Sequence, residues 1–99
     1  MVSFNIFNFF PLQKFRIEEN SMSPFLKPGD TVLISRFGKI KIGDVVVFEV
    51  NDKHYVKRIE KIKGDKYFLT GDNKKESIDS RRFGWIEKKD IIGKVIANF

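Results

Sequence analysis

Ninety-nine residues limit this chain to one small domain, taken as residues 1–99. The absence of cysteine excludes disulfide staples and thiolate metal sites. Nineteen lysines and arginines against thirteen acids leave a formal net charge of +6, which suits either a solvated lysine-rich surface or attraction to an anionic partner. The cations are scattered among acids with no basic helix, so nucleic acid is not expected as a partner.

No stretch reaches the roughly 18–20 apolar residues that cross a bilayer. The first dozen residues are apolar and carry Phe4, Phe7, Phe9 and Phe10. They have no positive n-region and no small-residue cleavage site, so they do not read as a secretory signal. The segment 1–13 reads as a core strand, or as a hydrophobic lip on lipid or on a partner. With no span and no signal, the expected location is cytoplasmic or peripheral at a membrane surface.

Residues 14–18 alternate Phe15 and Ile17 with polar neighbours, the period of a half-buried strand. Pro24 and Pro28-Gly29-Asp30 mark a loop. Residues 31–36 are β-branched and apolar and form the next strand. Val45-Val46-Val47-Phe48 reads as a strand buried on both faces. Asn51-Asp52 suits a tight turn, and residues 53–62 return as the other arm of a hairpin. Gly64-Asp65 makes a further turn before a strand at 66–70. Residues 71–84 are polar and irregular, and residues 91–97 form a last strand. No helix longer than a turn or two is expected. The fold class is therefore all-β: a small folded sheet or barrel-like core with only short helical turns.

Three strings hold the chemistry. Ser21, just before Pro24, is a nucleophile if a base stands beside it, and otherwise an ordinary turn serine. On a strand, Tyr55, Lys57 and Ile59 share one face, and His54, Val56 and Arg58 the other. Lys57 thus sits on an apolar face, where burial lowers a lysine pKa and frees the amine to accept a proton. The alternative is a snorkelling lysine whose stem covers apolar surface. His54 falls on the opposite side, toward solvent, with no acid spaced to orient it. Residues 71–84 form a long polar loop, a type that tends to be functional. In it, Asp79 with Arg81 is a candidate fixing pair, and Ser77 is within plausible reach of Lys57. Asp30, Asp44 and Asp72 adjoin glycine at turns, where aspartate is common for backbone reasons. No metal and no cofactor are expected.

Asn20-Ser21-Met22-Ser23-Pro24-Phe25-Leu26, Gly43-Asp44-Val45-Val46-Val47-Phe48, Tyr55-Val56-Lys57-Arg58 and Gly71-Asp72-Asn73 running on to Asp79-Ser80-Arg81-Arg82-Phe83-Gly84 resemble, in order, the motifs of type I signal peptidases. The serine motif is shared with self-cleaving repressor proteases, whereas the loop from Gly71 is not. A self-cleaving repressor is disfavoured too because no DNA-binding domain precedes this segment. The resemblance implies a serine endopeptidase with a mostly-β core. It implies Ser21 as nucleophile, Lys57 as general base, and Ser77 as a hydroxyl that orients the lysine. Met22 would pack beneath the site, and Asp79 and Arg81 would form a structural pair. The substrate implied is a protein segment bound in extended form, with small residues before the cut. Two departures stand out. There is no N-terminal membrane span here, and Glu19 occupies a position where relatives often carry an oxyanion-hole hydroxyl. An ionised glutamate only accepts hydrogen bonds. The hole would then rest on the Ser21 N–H and Asn20, or the chain is a weak or inactive relative that binds peptides. The short length and the two flanking motifs also resemble the maturation proteases of nickel-type superoxide dismutase, which trim a leader from one client.

Overall fold

The computed structural model describes residues 2–9 and 11–99, with side chains from Pro11 onward. Eight strands are laid down: β1 (Val2–Phe9), β2 (Leu12–Ile17), β3 (Thr31–Ser35), β4 (Val45–Val50), β5 (Lys53–Lys63), β6 (Lys66–Thr70), β7 (Ile86–Glu87) and β8 (Ile91–Asn98). They form one sheet in the order β1-β2-β3-β8-β4-β5-β6-β7, antiparallel at every pairing. The helical content among the described residues is a four-residue helix, α1 (Ser80–Phe83), and single turns of 3-10 helix at Lys74–Glu76 and Lys88–Asp90. The mostly-β expectation holds. None of these helices is long and apolar enough to cross a membrane.

The side-chain period of the strands builds two apolar clusters. Phe15 and Ile17 of β2, Val32 and Ile34 of β3, Val45 and Val47 of β4 and Val56 of β5 form the first, joined by Met22 and Leu26. Val46 and Phe48 of β4, Ile59 of β5, Tyr67 and Leu69 of β6 and Ile86 form the second. Each successive residue of β4 thus feeds the opposite cluster, which is why a run of four apolar residues was required there. The β4–β5 hairpin closes through Asn51 and Asp52, both at positive φ (51° and 65°), the geometry of a two-residue turn that matches strand twist.

Two sequence expectations need adjustment, and a third is not tested. The apolar N-terminal stretch spans β1 and the start of β2; whether β1 side chains are core or lip lies outside the described residues. The polar segment 71–84 is not wholly irregular, because Asp79 caps α1 by accepting from the Arg81 N–H. His54 does lie opposite Lys57, but it is only half-buried rather than free in solvent. Its ring packs edge-on against Phe15 at 5.6 Å, and Nε2 is 3.4 Å from Glu49. The first cluster extends under that face of β5, so strand parity alone did not separate inside from outside.

Candidate active site

Lys57 lies in the middle of β5, directly opposite Val46, on the face of the second cluster. Its side chain is 1% exposed. β6 pairs with β5 only as far back as Arg58, so it leaves the sheet just short of Lys57. There the residues following β2 fold into a compact turn. Ser23 N–H donates to the Asn20 carbonyl and Leu26 N–H to the Met22 carbonyl, while the Ser23 hydroxyl donates to Asn20 Oδ1. Met22 and Leu26 are fully buried and anchor this turn in the first cluster. Ser21, also 1% exposed, is carried into contact with the lysine: Lys57 Nζ donates to Ser21 Oγ at 2.8 Å.

Burial pushes the Lys57 amine down to about 8, and the Glu19 and Asp79 carboxylates pull in the other direction without restoring an ordinary value. The Tyr55 ring lies 5.6 Å from Nζ. A lysine in this state is partly neutral near pH 8. Once neutral, it can accept the proton that a serine hydroxyl must lose.

The segment after β6 holds the serine turn from the other side. Asn73 N–H donates to the Ser21 carbonyl at 2.8 Å, and Asn73 Nδ2 to the Asn20 carbonyl at 3.1 Å. Glu76 Oε2 accepts from both Asn20 Nδ2 (3.0 Å) and Asn73 Nδ2 (3.1 Å). The Asp72 N–H points at Met22 Sδ, 3.4 Å away. Gly71 is required by the close approach: a β-carbon there would collide with the Ser77 hydroxyl and lie 2.6 Å from the Ser21 carbonyl oxygen.

Asp79 is buried beneath this loop. Its Oδ2 accepts from Ser77 Oγ (2.5 Å), Gly71 N–H (2.9 Å) and Arg81 Nη2 (3.1 Å), and its Oδ1 from Arg81 Nε (2.9 Å). Burial by itself would raise this carboxyl. The hydrogen bonds from Arg81, Ser77 and the backbone outweigh it and hold the group down at about 2. Arg81 also donates to the Lys74 carbonyl at 2.8 Å, which staples the loop.

The structure therefore brings Ser21, Lys57, Met22, Asn20, Ser77, Asp79 and Arg81 into one region. Ser77 spends its proton on Asp79, and the Asn20 amide is held by Glu76. Gly71, Asn73 and Glu76 grip the serine turn and were not singled out individually; the Gly-Asp-Asn string was the signal for the first two, and nothing local marked Glu76. Arg58 and Asp72 form a bidentate pair (2.9 and 2.8 Å), with Arg58 4.7 Å from the Phe25 ring. The turn aspartates have separate partners: Asp30 accepts from Lys27 N–H, Asp44 pairs with Lys41, and Asp72 with Arg58. No group of three His, Asp or Glu side chains among the described residues is placed to hold a metal.

Two comparisons bear on this arrangement. Over 31 residues the chain is 52% identical to signal peptidase I of Buchnera aphidicola subsp. Baizongia pistaciae (strain Bp), covering 31% of this chain and 10% of that protein. The chain thus spans only about a tenth of the length of that curated relative. The model of the Peptidase S24-like family matches residues 12–96, from the start of β2 to near the end of β8. A mostly-β core of the Ser-Lys protease type and this match agree, and the chain belongs to the Peptidase S24-like family.

Proposed function

We propose that this chain is a serine endopeptidase in which Ser21 is the nucleophile and Lys57 the general base. The observation that carries the reading is the 2.8 Å contact between Ser21 Oγ and a Lys57 amine that is fully buried and depressed to about 8. Neutral Lys57 takes the hydroxyl proton as Ser21 Oγ attacks the scissile carbonyl. The resulting lysine ammonium gives that proton to the departing amine as the C–N bond breaks. Lys57, neutral again, removes a proton from water, which attacks the acyl ester and regenerates the Ser21 hydroxyl. The Ser21 N–H supplies one donor to the developing oxyanion, and Asn20 a second if substrate releases its amide from Glu76. Ser77, Asp79 and Arg81 act at one remove, by fixing the loop that clamps the serine turn.

The finer reading is leader or signal removal from a client protein, of the signal-peptidase type. It is supported by the short identity to signal peptidase I and by the Gly71–Arg81 string. Maturation of a nickel-type superoxide dismutase is the subfamily we favour. Substrate would enter in extended form. The whole chain serves as one catalytic unit, and its Phe-rich first dozen residues are proposed as a peripheral lipid contact, testable by co-sedimentation with vesicles.

The decisive experiment treats the protein with a short alanine-ending peptide p-nitrophenyl ester at pH 9 and reads the intact mass. A stable or transient adduct on Ser21, absent in Ser21→Ala and Lys57→Met, is expected. Peptide binding without any adduct would sink the protease reading and leave a peptide-binding module, the alternative that Glu19 favours.

A further inference from the structure

A cleft of about 290 Å³ opens where the chain leaves β3, between that loop and the start of β8. None of its lining residues belongs to the Ser21 turn or to residues 71–84. Its size lies at the lower end of small-ligand sites. Two local features make it. Val47 pairs with Gly93 and Phe48 with Ile91, so Ile92 is an extra residue that bulges out of the β4–β8 ladder. Gly93 comes so close to the Ser35 carbonyl oxygen that a β-carbon would stand 2.6 Å from it. The wall beside the bulge is therefore bare backbone.

The floor of the cleft is apolar. Ile40, Tyr67 and Ile91 all pack on the second cluster. The rim is cationic, with Arg36, Lys39, Lys88 and Lys94, and no carboxylate lines it. Lys94 is already engaged: its Nζ donates to the Lys39 carbonyl at 3.1 Å and lies 3.8 Å from Asp44. Arg36, Lys39 and Lys88 have no such partner among the described acids, whereas neighbouring Lys66 and Lys89 both approach Glu87. Three uncompensated cations around a concave apolar surface focus a positive potential into it. Scattered lysines on a convex face would be solvated and would recognise nothing.

We propose that this cleft binds a small amphipathic anion, with its acidic head among Arg36, Lys39 and Lys88 and a short apolar stem on Ile40 and Ile91. The proposal uses neither Ser21 nor Lys57 and stands apart from the protease reading. Titration of the ¹⁵N-labelled full chain with octyl phosphate, kept below its micelle concentration, tests it. Saturable shifts are expected at the amides of Gly38, Lys39, Gly93 and Lys94, with an affinity at least tenfold above that of inorganic phosphate or of octanol. Lys39→Glu with Lys88→Glu should weaken binding tenfold or more, while Lys75→Glu should not; Arg36→Gln, tested alone, should weaken it severalfold. Equal binding of inorganic phosphate would mean ordinary counterion association, and equal binding of octanol would mean apolar adsorption. Either result, or an unaltered double variant, overturns the proposal. A vesicle arm then identifies the source. Cleft-dependent binding to phosphatidylglycerol but not phosphatidylcholine vesicles assigns a lipid headgroup, and binding of octyl phosphate alone assigns a soluble amphiphile.

Discussion

Replacing Lys57 by methionine tests the central electrostatic claim without any knowledge of substrate. In the folded chain the amine titrates near 8, against 10.5 for an ordinary lysine. Between these values the folded state holds fewer protons than the unfolded state, so folding stability rises with pH across that window. Below it, both states are protonated and the full cost of burying the charge is present. That cost is about 3 kcal/mol at pH 7 and about 2 kcal/mol at pH 9. Methionine keeps an unbranched apolar stem of similar length and carries no charge. It also strips Ser21 of its hydrogen-bond partner, a loss of about 1 kcal/mol at either pH. The variant is thus expected to be more stable than the native chain by about 2 kcal/mol at pH 7, with an advantage about 1 kcal/mol smaller at pH 9. Urea denaturation followed through Trp85, the single tryptophan, measures both. The pH dependence of the difference is the diagnostic quantity, because packing effects shift both values equally. A difference that stays flat from pH 7 to pH 9 would refute the depressed lysine, whatever the sign of the offset.

The same lysine sets a rate prediction: its neutral fraction climbs from about 9% at pH 7 to about 90% at pH 9, so Ser21 acylation should quicken about tenfold. A rate that keeps climbing tenfold per unit beyond pH 9 would point to an ordinary lysine. Asp79→Asn should cost about 2 kcal/mol at pH 7, since a buried acceptor of five donors loses its charge. Because the folded carboxyl sits below its unfolded value of 3.8, at about 2, its stabilisation is full above about pH 4 and lost as pH falls through 2. The gap between variant and native chain should therefore close over that range in an acid titration. Gly71→Ala should destabilise by about 1–3 kcal/mol through overpacking against Ser77 and the Ser21 carbonyl, and slow Ser21 labelling. Unchanged labelling would mean that this close contact does not position the serine.

Much of the fold was legible because its strands obey simple periods. Val45-Val46-Val47-Phe48 had to be buried on both faces, and the structure splits it between two clusters. The Asn51-Asp52 turn was readable from turn chemistry alone. β7 was not legible, being two residues long and paired only with Lys66 and Tyr67. The half-burial of His54 escaped the sequence because it depends on Phe15, which comes from a strand far away in the chain.

The candidate site divides along the same line. Residue order together with the resemblance to a protease family named Ser21, Lys57 and the polar loop; residue type alone did not single them out from the other serines and lysines of the chain. Local pattern carries such information because each motif is a short run with its own backbone demands. The distance between Ser21 and Lys57, 36 positions apart, is a property of packing. So are the loss of water around Lys57, the Glu76 bridge between Asn20 and Asn73, and the bulge at Ile92 that opens the cationic cleft. Sequence supplied the candidate groups; the sheet and its two apolar clusters decided which of them meet, and in what dielectric.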